Sequence, residues 1–197
     1  MIKKDKINKV RPTQAVVGEY EVQLRKKQFL SIPKHELEQH LQDKWLVPCI
    51  TGPDDHLHII DRHHCCKALY ELGHEWAYFD IKLDLSSLTA VQFIKVMKAL
   101  DYFYLYDSDW NKIEVEDLPK HISQLVDAPY RSLSGLVRKA GGYEKTGVPF
   151  EEFEKGKILS DKMNLQAFLS QSGTPEENWK KAIEFGVYLL KENDNDK

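Results

Sequence analysis

Read by the spacing of its apolar residues, the chain has a first part of short elements of alternating type and a second part that is helical throughout. After Pro12-Thr13-Gln14, Val16, Tyr20 and Leu24 recur every fourth residue. That spacing predicts a short amphipathic helix ending at Arg25, Lys26 and Lys27, where cations suit the dipole. Pro33 near a start, followed by Leu37 and Leu41, marks a second helix. Val47-Pro48-Cys49-Ile50 and Leu57-His58-Ile59-Ile60 are apolar runs separated by Gly52-Pro53-Asp54-Asp55, which reads as strand, turn, strand. A helical stretch from His63 to Leu72 follows, closed by Gly73 just past its end. Between Trp76 and Leu85, Phe79, Ile81, Leu83 and Leu85 alternate with Asp80, Lys82 and Asp84, a period of two that predicts a strand with one face on a core.

Thr89 and Gln92 form a capping-box pattern ahead of Phe93, Val96, Met97 and Leu100, one face of a helix. Tyr102 to Tyr106, the polar turn Asp107-Ser108-Asp109, and Ile113 to Val115 read as a hairpin, or as a continuation of that helix. Pro129 starts a helix with Leu133, Leu136, Val137 and Ala140 on one side, stopped by Gly141-Gly142. Phe150 to Leu169 reads as one or two helices with Gly156 as the weak point. Thr174-Pro175-Glu176-Glu177 opens a last helix carrying Trp179, Ile183 and Leu190 at helical spacing. The architecture expected is α+β: a small mixed sheet with interspersed helices over residues 1–115, then an all-helical lobe over 116–192 packed with it as one compact unit. A tail over 193–197 should be disordered.

Composition narrows the class. Of 197 residues, 42% are apolar and only 18 are Gly or Pro, the balance of a folded domain that needs no disulfide or metal staple. The net charge of −3 argues against coating duplex nucleic acid, which normally takes a basic domain. The charge is uneven, however: residues 1–28 hold eight basic and three acidic side chains, a local +5 that leaves −8 for the rest. The segment reads either as a solvated, partly frayed terminus or as an anion-facing edge near a site. The three cysteines, Cys49, Cys65 and Cys66, are odd in number and two are adjacent, which fits no disulfide framework and points to a cytoplasmic protein. No apolar run approaches the ~18 residues of a membrane span, and the first residues lack a signal-peptide pattern.

The densest chemistry lies at Ile59-Ile60-Asp61-Arg62-His63-His64-Cys65-Cys66, where an apolar strand runs into a polar cluster and then a helix. The first turn of a helix presents N–H groups and the positive end of the dipole, which favours an anion such as phosphate; Arg62 and the two imidazoles add donors. Asp61 in this position also reads as a plain N-cap. Metal-competent side chains are dense here, but only His63 and Cys66 share a helix face and no zinc spacing is present, so no metal ligand is assigned. Cys65 and Cys66 read as small buried hydrophobes, or as thiols activated by the helix terminus.

At this strand, Asp, His-His, helix motif the sequence resembles the ParB-like nuclease family of the ParB and sulfiredoxin-like superfamily. Pro12-Thr13-Gln14 with Val17-Gly18 and Val22 is similar to the family's N-terminal block. Val47-Pro48 to Gly52-Pro53 and Ile60 to His64 with Ala68-Leu69 are similar to its central block. Asp127 to Arg138, Gly141 to Lys145, Pro149-Phe150 and Glu152-Phe153 are similar to its C-terminal block, so the likeness runs from about residue 11 to 155. The resemblance implies a ParB/sulfiredoxin-like fold whose strand-to-helix turn holds phosphate, often that of a nucleotide. Related free-serine kinases carry Asp-Gly-His-His-Arg at this turn; here Arg62 replaces the Gly and Cys65 the Arg. Sulfiredoxins place a reactive Cys before a His-Arg pair, whereas both cysteines here follow the histidines.

The site expected from these readings has Asp61, His63 and His64 as catalytic residues. Asp61 would serve as general base or magnesium ligand, and His63 or His64 would contribute proton transfer or charge stabilisation. Gln14, Glu21, Lys26, Arg62, Cys65, Cys66, Arg131, Ser132 and Lys145 are the expected phosphate or ligand contacts. Arg131 or Lys145 would close on the phosphate if the helical half folds over the sheet. The partner expected is a phosphate-containing small molecule or nucleotide, with nucleic acid as a further candidate, and Mg²⁺ and a nucleotide are candidate cofactors. Three functions fit: a nuclease-like phosphate-bond enzyme, a noncatalytic nucleotide- or DNA-binding module, and a nucleotide-dependent small-molecule kinase.

Overall fold

The structure, a computed structural model, describes residues 1–195, with side chains described as far as residue 192. Part of the tail expected to be disordered, residues 196–197, lies outside the described residues. The chain divides into two units, Met1–Asp127 and Ala128–Lys197.

The first unit contains β1 (Ile2–Lys6), β2 (Val10–Pro12), β3 (Val16–Val17), β4 (Val47–Thr51), β5 (Leu57–Ile59), β6 (Trp76–Asp84) and β7 (Val126–Asp127), with helices α1 (Glu19–Leu30), α2 (Lys34–Lys44), α3 (His63–Glu71) and α4 (Ala90–Ala99). Five strands form a mixed sheet in the order β1-β6-β4-β5-β2, while β3 and β7 pair separately and in parallel. The hairpin expected at 47–60 is the antiparallel pair β4 and β5. Side chains alternate between the two sheet faces. Val47, Cys49, Leu57, Ile59 and Phe79 are buried in one core with Val22, Phe29, Cys65 and Leu69 from α1 and α3. Ile50 is buried in a second, smaller core with Phe93 and Met97 of α4.

Several expectations change. The basic N-terminus is not frayed: Ile2–Lys6 pairs antiparallel with Trp76–Asp80, and the Met1 ammonium donates to the Ile81 carbonyl at 3.0 Å. Asp5 is buried there, 2.6 Å from Lys3 and 3.5 Å from Lys9. Burial works to raise its carboxyl, but those lysines and the Lys6 N–H outweigh that and hold it below the usual range. Val16 is in β3 rather than in the first helix, which starts at Glu19, because pairing with Val126 overrides the local period of four. On β6, Ala77 and Phe79 are buried but Leu83 is exposed, since the register against β4 shifts between Cys49 and Ile50. The expected hairpin after α4 reduces to a single bridge, Tyr106 to Lys112, and Asp101 at φ 51° ends the helix before it.

The second unit is helical: α5 (Pro129–Lys139), α6 (Glu151–Lys162), α7 (Leu165–Leu169) and α8 (Pro175–Asn195). Pro129 is the first residue of α5, and Gly141 at φ 79° follows its end, as the sequence predicts. The 150–169 segment is two helices broken at Met163-Asn164, whereas Gly156 is buried inside α6. Tyr130 pins that break: its hydroxyl donates to the Met163 carbonyl at 2.7 Å and accepts from the Leu165 N–H at 3.0 Å. Thr174 and Glu177 cap α8 reciprocally, at 2.8 and 3.2 Å.

Candidate functional site

Strand β5 ends at Ile59 and α3 begins at His63, so Ile60-Asp61-Arg62 make the turn between them. Arg62, not Asp61, is the N-cap of α3, and it lies in the left-handed region at φ 62°, ψ 29°. Asp61 stands one residue outside, exposed, and its Oδ1 accepts from the Arg62 N–H at 2.6 Å. The plain N-cap reading of Asp61 is thereby corrected: its carboxylate folds back on the turn rather than capping the helix interior. The Arg62 guanidinium reaches backward, with Nη1 donating to the carbonyls of Lys44 at 3.0 Å and Leu46 at 2.9 Å. It ties the end of α2 to the turn.

His63 is buried and accepts the Thr13 N–H at Nε2, 3.2 Å away, while the Thr13 hydroxyl donates to the Ile59 carbonyl at 2.8 Å. The Pro12-Thr13-Gln14 block is thus fastened to the turn, and an Nε2 that accepts an N–H leaves the ring hydrogen on Nδ1. The buried Gln14 donates to the Val16 carbonyl at 2.6 Å. His64, next in the helix, is half-buried.

Cys65 marks the electrostatic centre of the turn. Burial pushes its thiol up to about 11; Arg25 and Arg62 act to lower it, and Asp61 and Glu21 to raise it. Two cations and two carboxylates thus act on one residue of the first turn of α3. Cys66 and Cys49 are likewise buried, and burial raises both thiols, that of Cys49 to about 12. Activated nucleophiles are partly exposed and electropositive, so these three read as packing residues.

The structure thus brings Gln14, Glu21, Asp61, Arg62, His63, His64 and Cys65 to one region of the first unit. It does not bring Lys26 there. That ammonium lies 2.9 Å from Glu71, the last residue of α3, beside an ion network in which buried Lys67 meets Glu19 at 2.8 Å and Glu71 at 3.8 Å. Arg131, Ser132 and Lys145 belong to the second unit. There the Arg131 guanidinium lies over the Phe153 ring at 5.3 Å, Ser132 is fully buried, and Lys145 is exposed in the segment before α6.

Arg25 and Trp45 were missed. The Arg25 guanidinium lies 3.8 Å from the centre of the Trp45 ring and Arg62 lies 5.4 Å from it, so the indole joins both cations. Arg25 Nε and Trp45 Nε1 are both buried with no hydrogen-bond partner. The one signal in the sequence was the spacing of four between Glu21 and Arg25, which places both on the same face of a helix. Among the described residues, no group of three or more His, Cys, Asp or Glu side chains could hold a metal ion, and no helix is long and apolar enough to cross a membrane.

Residues 4–161 match a family described as "Putative ParB-like nuclease". Among solved structures, the chain is similar to the crystal structure of protein Atu1540 from Agrobacterium tumefaciens: 31% identity, TM-score 0.81, covering 94% of this chain and 90% of that one. No curated protein matches the sequence.

Proposed function

The chain belongs to the ParB-like nuclease family, and from that membership we propose that the Asp61–Cys65 turn binds a phosphate group and supports hydrolysis of a phosphate bond in a nucleotide or nucleic acid. The observation that carries this reading is the left-handed Arg62 between β5 and α3, which sets an exposed carboxylate and half-buried His64 at a helix N-terminus, with the Arg25 and Arg62 charges near enough to act on Cys65 beside it. In this reading the α3 N-terminus holds phosphate oxygens. Asp61 accepts the proton of the attacking water, and His64 donates to the leaving oxygen. His63 is a positioning residue, because its Nε2 is taken by Thr13. Mg²⁺ keeps several waters and is commonly bound through one or two carboxylates plus substrate phosphates, so in the alternative in which Asp61 is not the base it would hold the ion, which would neutralise developing phosphate charge.

The test is a thermal-shift panel of nucleotides, short DNA and short RNA, with and without Mg²⁺ or Mn²⁺, followed by turnover assays. A phosphate ligand at 100 times its Kd should stabilise by about 2.7 kcal/mol. Asp61→Asn and His64→Ala should each lower turnover by about 10²–10⁴-fold with little change in Tm. Saturable binding without product would make the turn a noncatalytic sensor. No shift with any phosphate ligand would overturn the reading.

A further inference from the structure

The face of the sheet opposite α3 carries a polar cluster that the Asp61 turn does not use. Leu57 and Ile59 of β5 are buried with α3, whereas the His58 ring packs on Phe93 of α4 with centroids 4.6 Å apart. Beside this pair, within the first unit, lies a cleft of about 420 Å³. Phe93, Ile94, Phe103 and Leu118 form its apolar walls. That volume falls in the ~300–1,000 Å³ range of small-molecule sites, and an apolar cleft with a few convergent polar groups is their usual form.

The polar groups are arranged in a particular way. Arg11 and Asp54 both border the cleft, and His56 stands between them, its Nε2 2.6 Å from Arg11 Nη2 and its Nδ1 2.8 Å from the Asp54 carbonyl oxygen and 3.1 Å from Asp54 Oδ2. A guanidinium can only donate, so Nε2 accepts and Nδ1 carries the hydrogen, which it shares between the Asp54 carbonyl and the carboxylate behind it. Cation and anion are held one imidazole apart instead of neutralising each other. Each is anchored from behind: Arg11 donates through Nη1 to the Lys120 carbonyl, and Asp54 Oδ1 accepts the His56 N–H at 3.3 Å and lies 3.2 Å from His58 Nε2. Glu116 and Lys120 add one further charge of each sign, so the lining is formally neutral.

A polyanion such as a nucleotide gains nothing net from such a lining, and a simple carboxylic acid would set its charge against Asp54. A neutral nucleoside would leave Arg11 without an anion. A molecule with its own separated charges and an apolar body satisfies every group at once. We propose that this cleft binds a free α-amino acid with an apolar side chain. Its carboxylate faces Arg11, its ammonium faces Asp54, and its side chain lies between Phe93, Ile94 and Phe103.

The test is chemical-shift perturbation on the full chain, titrated with L-phenylalanine and L-leucine, with phenethylamine and 3-phenylpropionate as their one-charge analogues. The amino acids should bind saturably, with shifts at His58 and Phe93, and each analogue at least tenfold more weakly. Asp54→Asn should weaken the amino acid at least tenfold without weakening 3-phenylpropionate. Because Asp54 also braces two histidines, Ala90→Trp serves as a second variant: it fills the cleft from the exposed start of α4 and should abolish binding while the fold is retained. Asp61→Asn, in the turn after β5 and outside the cleft lining, should leave binding unchanged. The proposal is overturned by no perturbation at about 10 mM ligand, by analogues that bind as well as the amino acid, or by binding that survives Ala90→Trp.

Discussion

Arg62 does two jobs that favour different residues. Its backbone holds φ 62°, a conformation that costs an L-residue about 1–2 kcal/mol and glycine nothing, while its guanidinium ties down the Lys44 and Leu46 carbonyls. Removing the side chain should therefore cost more than the backbone strain returns. In urea unfolding, Arg62→Ala should destabilise by about 2–4 kcal/mol and Arg62→Gly by about 1 kcal/mol less. Equal costs for the two would show that the turn does not hold this geometry in solution. The identity of the turn residues was legible in the sequence because strand end, polar cluster and helix start are contiguous. The direction of each side chain was not. Whether Arg62 faces an anion or the Lys44–Leu46 carbonyls depends on where α2 ends, and Lys26 was separated from the turn only once its partner Glu71 was known to lie at the far end of α3.

Among the elements, those whose cause is local were legible: the β4–β5 hairpin, the α4 capping box, Pro129 at the start of α5 and the Thr174–Glu177 cap. Elements with a distant cause were not. β1 reads Ile-Lys-Lys-Asp-Lys, with one apolar residue, and is a strand because β6 offers it an edge; the lysines suit that position, since charge on an edge strand discourages further pairing. Close packing is equally invisible in a helical period. Gly186 sits inside α8, where Ala has the better helix propensity by about 1 kcal/mol. A Cβ there, however, would lie 2.7 Å from Val137 Cγ2 of α5. Gly186→Ala should thus destabilise by about 1–3 kcal/mol in denaturant melts, opposite in sign to the propensity. A stabilised variant would mean that the α5–α8 contact yields.

For the molecule as a whole, stability should depend on pH through half-buried histidines. Burial lowers the pKa of His58, against the pull of Asp54, and that of His74, from the ordinary 6.5. The unfolded chain therefore takes up protons first as pH falls. The stabilisation from keeping these rings neutral is present above about pH 6.5 and is lost as pH drops through that value toward the folded pKa. Asp5 and Asp54 have the same sign at lower pH, their contribution lost as pH falls below the ordinary 3.8. Differential scanning calorimetry should show Tm falling between about pH 7.5 and 5.5, less steeply in His58→Gln, and again below about pH 4. A flat Tm over the upper range would contradict the half-buried placement of both rings.

During synthesis, β1 leaves the ribosome before its neighbour β6 exists, and β3 waits for β7, the last residues of the first unit. Pairing between such distant segments is slow, because the loop must close before any contact rewards it. In the second unit α5 meets α6 and α7 meets α8 as soon as each is made, although α8 must also reach back to α5. The newborn N-terminus is thus an unpaired, lysine-rich strand throughout the making of the sheet, and its charge keeps that waiting edge from adhering to other chains.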